Sequence, residues 1–539
     1  MNARGDAPAA TPGLDVAALY HERTKHSLRG YARGPETLDW DAQPNPFREF
    51  AGSPRLDLDF GASACEADFA LSCEPQRVAP APLNARSLAV LLELSVGLSA
   101  WKQYGPDRWA LRCNPSSGNL HPTETYLICR SVAGVADGLH HYVSRDHALE
   151  HRRADPSLAG APAQLWIGLS SVHWREAWKY GERAFRYCQL DIGHALGALR
   201  YAAAALGWRA TALTDVATAE LAELMGLDRA EDFHGAERED AELLIAIDAS
   251  AQASHQVVAA SPASRWSGRA NRLDAHPLYR WPIIADVSRA SEGRGSDDMA
   301  PGRAEPPPRP PRPAVRAAAV ILGRRSAQRF DSKFTMSSAV FQTLLDGVAP
   351  RRAAPWDVWR FRPRVHPILF VHRVEGLEPG LYALPRDPDA VAALRASLRA
   401  DFEWRAVEIA TARAPLVRLA SGDYRALARQ LHCGQAIASD GCFAMGLLAE
   451  FEPLVSANPW RYRQLHWEAG LVGHALYLEA EAAGLRGTGI GCFFDDDLHA
   501  LLGLDGKRFQ SLYHFTIGRP LLDDRISTEP AYPGRRQEE

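Results

Sequence analysis

Apolar residues along the chain fall into two recurring patterns. Short runs of aliphatic and aromatic residues between turn-formers predict strands at 123–130, 164–170, 242–248, 365–371 and 511–517. Longer Ala-rich stretches at 188–206 and 465–483 predict helices. Gly207 and Gly484 close them and suit a left-handed cap. Small residues stud both helices, among them Gly193 and Gly197 in the first and Gly470 and Gly473 in the second. Such positions let another helix approach closely. Runs of strands mixed with long helices predict an α+β fold without regular βαβ alternation. No GxGxxG follows a strand and no GxxxxGK[ST] occurs, so dinucleotide-fold and P-loop readings lack their defining parts.

The two helical stretches also repeat one another. LDIGHALGALRYAAAALGWRATAL begins at Leu190 and WEAGLVGHALYLEAEAAGLRGTGI at Trp467, an offset of 277 residues. Asp191 then aligns with Glu468, Gly193 with Gly470, Gly207 with Gly484 and Thr211 with Thr488. LMGLD from 224 and LLGLD from 501 keep the same offset. Upstream, His121-Pro122 and His366-Pro367 each head a strand-like run. A register held this long points to duplication. It predicts an N-terminal domain at 15–255 and a C-terminal domain at 315–525, joined by a Pro/Arg/Gly-rich linker at 256–314. PGRAEPPPRPPRP, residues 301–313, cannot supply the backbone donors of helix or sheet, and the less ordered tract is expected at about 285–315.

Composition adds exclusions. With 539 residues the chain exceeds one core, and its net charge of −4 gives no whole-chain case for nucleic acid. No apolar run reaches the ~20 residues of a membrane span, and the opening MNARGDAPAATPG lacks a signal-peptide core, so a cytoplasmic location is expected. Eight cysteines without a CxxC pair are expected to be free, buried thiols. No His, Cys or Asp set has regular ligand spacing, so no metal is expected; Asp495-Asp496-Asp497 most simply opens a helix.

Four clusters could carry chemistry. Arg324-Arg325-Ser326 with Arg329 sets three guanidiniums and a hydroxyl at a helix end, a possible phosphate cradle, although an isolated RRS is more often a solvated basic turn. Pro115-Ser116-Ser117-Gly118-Asn119 is a turn rich in donors and acceptors; alone it would more often be a connector. Gly489-Ile490-Gly491 lets backbone N–H groups approach a ligand, or is a plain helix-to-strand turn. Arg519, ending the last strand, is either a further phosphate ligand or a surface charge.

In order and spacing these clusters resemble the nitroreductase superfamily, whose members carry an R-R-S-x-R-x-F motif, a Pro-Ser-Ser loop, a Gly-rich turn and a basic residue after the last strand. The resemblance implies tandem FMN-dependent domains forming an intramolecular pseudo-dimer. One composite FMN site would take Arg324, Arg325, Ser326, Arg329, Gly489, Ile490, Gly491 and Arg519 from the C-terminal half and residues 115–119 from the N-terminal half. The opposite site looks broken. HERTKHS stands where RRS is expected, Ala212 and Thr214 replace the glycines, and Asp248-Ala249 ends the last strand. WKYGERAFRYCQLDIGHALGAL, from 178, looks like the SagB/ThcOx-type dehydrogenases, which include azoline dehydrogenases of peptide natural-product pathways. In that branch a Lys-Tyr pair serves oxidation, and Lys179 and Tyr180 match it. Hydride transfer to flavin needs a group for the departing proton, and a tuned lysine or phenolate supplies one. The bland alternative leaves Lys179 exposed and Tyr180 packed in the core. Expected partners are therefore FMN, a small-molecule or peptide-derived substrate and, for some acceptors, NAD(P)H. The rival readings are an NAD(P)H-dependent nitro or quinone reductase and a non-catalytic flavin-binding or scaffold subunit of a peptide-modifying complex.

Overall fold

The computed structural model describes residues 14–249, 255–256, 260–261, 263–295, 298, 312–407 and 415–533. All five strands expected from sequence are present, as Thr123–Arg130, Gln164–Ser171, Asp240–Asp248, Val365–Val371 and Phe509–Gly518. They lie at the centres of two antiparallel sheets with one shared order. The first runs Arg265–Trp266, Ala148–Ala154, Gly138–Val143, Thr123–Arg130, Gln164–Ser171, Asp240–Asp248, Arg209–Ala212. The second runs Arg405–Ala406, Val417–Ser421, Gly380–Ala383, Val365–Val371, Phe443–Glu450, Phe509–Gly518, Arg486–Ile490. The first also pairs Arg55–Asp57 with Ala148–Ala154. This is the expected α+β architecture in two tandem copies.

The repeat holds element by element. Helices Ala184–Ala205 and Arg461–Ala482 are both 22 residues long. Thr218–Met225 and Asp495–Leu502 are both 8. Each pair keeps the sequence offset. The two long helices start earlier than their Ala-rich segments suggest, because buried ion pairs hold the polar first turn. Arg186 reaches Asp495 in the other half, and Arg463 reaches Glu242. Gly207 and Gly484 end the helices with φ of +70° and +71°.

These helices cross each other at the middle of the molecule. A Cβ on Gly193 would lie 2.2 Å from the Trp467 carbonyl oxygen, and one on Gly470 2.2 Å from the Leu190 oxygen. Both backbones therefore touch where the sequence set small residues. One apolar core runs through this crossing, with Leu190, Leu196, Trp467 and Leu471 all buried.

Two expectations are corrected. Part of the 256–314 segment is structured: strands Arg265–Trp266 and Arg269–Ala270 pair with the first half, and helix Pro282–Ala290 buries Ile284 and Val287. The apolar spacing of that helix outweighs the polar composition around it. Residues 301–311 of the proline-rich run, and the chain opening 1–13, lie outside the described residues. Nor are all cysteines free thiols. Cys433 and Cys492, 59 residues apart, form a disulfide across 6.0 Å between Cα atoms. Cys433 sits in a left-handed turn (φ +54°) that brings it to the Gly-rich turn, a long-range closure that no local spacing signals. Among the described residues no helix is long and apolar enough to cross a membrane.

Candidate active site

A cavity of about 820 Å³ opens where the halves meet. The first half contributes the turn after strand Asp107–Arg112, with Pro115, Ser116, Ser117, Gly118 and Asn119 in the wall. That turn is tied down from behind. Ser117 donates its N–H and its hydroxyl to Asp191 Oδ1, both at 3.1 Å. The His121 amide donates to Ser116 Oγ at 2.8 Å, and Asn119 Nδ2 to the Ala110 carbonyl at 2.9 Å. Gly118 has φ +58°, and a Cβ there would lie 2.4 Å from Tyr180 Oη. Only glycine satisfies both constraints.

The second half contributes Arg324, Arg325, Ser326, Gly489, Ile490 and Gly491. Tyr477 links the two segments: Ser326 Oγ lies 2.8 Å from its hydroxyl, which accepts the Gly489 N–H at 2.8 Å. A Cβ on Gly489 would stand 1.7 Å from Tyr513 Oη, so the turn can lie against that ring only without a side chain.

One end of the cavity is crowded with cations. Arg324 donates to the carbonyls of Cys113 and Arg112 at 3.0 and 3.1 Å, and its Nη1 has no partner. Burial, then repulsion from Arg324, pushes Arg325 down to about 10. Lys102 is lowered by burial and by Arg325 and Arg486. Three guanidiniums and an ammonium with one nearby carboxylate, Glu481 at 3.9 Å from Arg486, leave an excess of positive charge in a partly desolvated wall that fits a phosphate. Lys102 and Arg486 were not singled out from the sequence. Arg486 was legible, because alternation along strand Arg486–Ile490 puts it on the face of Thr488 and Ile490. Lys102 comes from a strand hairpin of the other half and carries no motif. Two expected residues lie apart from the wall. Arg329 is exposed, and exposed Arg519 lays its guanidinium on the Phe334 ring at 3.8 Å.

Lys179 and Tyr180 end helix His173–Tyr180. Tyr180 enters the wall edge-on to Tyr187, with ring centroids 4.6 Å apart. Lys179 stands one step back, its Nζ 5.2 Å from the Trp40 ring and 5.4 Å from that of Tyr180. Burial, reinforced by Glu176, raises Tyr180 well above the ordinary phenol range, whereas burial lowers Lys179. Both shifts favour the uncharged forms of the two groups.

A second cavity, of about 1080 Å³, occupies the repeat-related position. Its wall carries Ala212 and Thr214 where the first has Gly489 and Gly491, and it keeps Arg209 at the repeat position of Arg486 while adding Asp248. The expected loss of motifs thus leaves an open space with different chemistry.

Residues 107–236 and 441–519, one segment in each half, match the Nitroreductase family model. A Methanocaldococcus jannaschii protein described as a nitroreductase is 26% identical over 137 residues, spanning 23% of this chain and 66% of the relative. A solved structure from Anabaena variabilis, also described as a nitroreductase, shares 21% identity with a TM-score of 0.68, covering 94% of this chain and 99% of the other. That likeness establishes the fold across both halves together. The matched segments lie one in each half, and the chain shares its fold, as a fused pair of such units, with a protein described as a nitroreductase.

Proposed function

We propose that the chain is an FMN-dependent oxidoreductase with one flavin per molecule, acting as a dehydrogenase on an azoline-like or related small or peptide-derived substrate. The observation that carries this reading is the composite cavity: an end with an excess of cations, a glycine turn open to a flat ring and a Ser-rich loop from the opposite half. Arg324, Arg325, Arg486 and Lys102 would hold the phosphate, Ser326 and the turn 489–491 one side of the ring system, and residues 115–119 the other. Bound there, FMN would supply two-electron hydride acceptance.

The chain's own residues set the rest. Tyr180 presents its hydroxyl at the wall, with Glu176 and Asp191 setting its electrostatic environment and the Lys179 ammonium 5.4 Å from its ring. The Ser116–Ser117 turn lines the cavity, with the Ser117 hydroxyl bonded to Asp191 behind it. Tyr187, Tyr513 and His194 complete an aromatic wall that limits water. His194 is held neutral by burial, at about 3, and shares a 3.0 Å hydrogen bond with Tyr513.

The test is a visible spectrum with flavin quantification of the purified chain, followed by anaerobic titration with NADH and NADPH. About one FMN per chain is expected, with slow bleaching by either nucleotide. Two flavins would show that the second cavity is competent. Rapid bleaching by NADPH would favour a nitro or quinone reductase, and a flavin-free chain the scaffold role.

A further inference from the structure

Behind the Ser-rich turn lie two carboxyl groups that the proposed chemistry has not used. Glu176, on helix His173–Tyr180, has 0% exposure, and neither of its oxygens has a hydrogen-bond partner. Asp191, on helix Ala184–Ala205, is 1% exposed at the cavity wall. Its Oδ1 takes both bonds from Ser117, and its Oδ2 has none. Leaving three carboxylate oxygens buried and unpaired is costly for charged groups.

The duplication supplies an internal control. Glu468, aligned with Asp191, receives the Arg364 amide at 3.1 Å, the Val365 amide at 3.3 Å and the Arg386 guanidinium. It is a neutralised structural carboxylate. At the offset of Glu176 the second half has Pro453, and in place of Lys179 and Tyr180 it has Ser456 and Ala457. At the repeat-related positions the second half thus has one paired acid and one proline.

The groups facing the pair are few. Lys179 and Tyr180 come from the helix of Glu176, Cys188 from that of Asp191, and Arg112 and Tyr513 from neighbouring strands. Ser116 faces both carboxyls and Ser117 binds Asp191. Two cations stand near, and Lys179 is itself disfavoured by burial. Burial, with repulsion from Asp191, drives Glu176 well above the carboxylate range, and burial lifts Asp191 to about 7.

We propose that Glu176 and Asp191 hold one proton between them and form a reservoir behind the Ser-rich turn, exchanging that proton with the reacting group in the cavity through Ser116 and Ser117. The inference rests on the flavin reading for its role and on the packing alone for the shared proton. When substrate is oxidised, two electrons leave as hydride to the flavin and the substrate proton passes by way of a serine hydroxyl to the pair. In the reverse direction the pair returns it. No electron passes through the carboxyls. Both acids are positioning residues, acting on substrate through the serines.

The experiment uses the full chain as purified. Infrared spectra at pH 8 in H2O and D2O are expected to show the carbonyl stretch of a protonated carboxyl, shifted by deuterium, lost in Glu176→Gln and displaced in frequency in Asp191→Asn, where burial alone keeps Glu176 protonated without its partner. Protein reduced with dithionite and mixed with menadione, which takes hydride and proton, should reoxidise about 10²-fold more slowly in the variants. The variants should also lose the wild-type fall in rate above pH 7, at unchanged flavin content. Absence of the band in the wild type, or its survival in both variants, overturns the shared proton. Unchanged rates and pH profiles overturn the reservoir role. A flavin-free chain would sink the cofactor reading while the infrared result still decides on the pair.

Discussion

At the residue scale, two arginines expected to bind phosphate have separate fates. Arg324 is 4% exposed, with one unpartnered nitrogen at the cavity, whereas Arg519 stacks on Phe334 outside it. Arg324→Ala should therefore weaken FMN binding by roughly 10- to 100-fold, since a charge-assisted hydrogen bond contributes about 1.5–3 kcal/mol. Arg519→Ala should leave it nearly unchanged. Fluorescence titration of flavin-stripped protein measures both, and equal losses would show that Arg519 reaches the ligand. A different residue controls alkaline stability. Burial disfavours charge on His141, but hydrogen bonds to Glu124 (3.2 Å) and Glu150 (3.1 Å) outweigh it and raise the ring from 6.5 to about 9. Folding thus holds the proton more tightly than the unfolded chain. The gain is full below pH 6.5 and disappears as pH rises through 9. Urea midpoints should fall across that window, and His141→Gln should flatten the fall. His173, raised to about 9 beside Asp240 and Glu242, would keep a residual slope.

At the element scale, the crossing of the two long helices is the most demanding contact. Gly193→Ala would place a methyl 2.2 Å from the Trp467 carbonyl oxygen, forcing backbones apart. A loss of about 1–3 kcal/mol is expected from such overpacking. Gly506→Ala, whose Cβ meets nothing within 4 Å, serves as the control in denaturant melts. Equal stabilities would mean that the helices slide freely. This contact was legible because small residues at repeat-related positions name both partners. The central strands were legible for a similar reason: Thr123–Arg130 and Val365–Val371 are buried on both faces and read as apolar runs. Strands Gly138–Val143 and Ala148–Ala154 were not, since His140, His141, Glu150 and Arg152 interrupt their apolar pattern with buried polar groups paired only in three dimensions. The same limit hid Asp191, Glu176 and Lys102. Their significance lies in which groups surround them, and that is set by elements distant in sequence.

At the scale of the whole molecule, the halves are interlocked as well as packed. The segment after helix Leu14–Arg23 lies on the second half, where the His26 amide donates to Asp495 Oδ2 at 3.0 Å and the Asp495 amide to the His26 carbonyl at 2.9 Å. Asp495 also binds Arg183 and Arg186 at 3.0 and 2.7 Å, so the acidic first turn of its helix anchors the arm. In the opposite direction, strand Ser527–Glu529 pairs with Leu98–Tyr104 of the first half, and Trp101 Nε1 donates to the Ala531 carbonyl at 3.0 Å. Each half thus lends an arm to the other, and Lys102 enters the cavity from the strand that receives the second arm. Association should not depend on the covalent connection. With a protease site placed within 301–311 and cut in native buffer, the two fragments should co-elute as one particle and keep their flavin, parting only in denaturant. Size-exclusion chromatography with absorbance at the flavin band reads both properties at once. Fragments that separate in native buffer would show that arms and helix crossing together are too weak to hold the cavity. The tether would then be what keeps the composite site assembled.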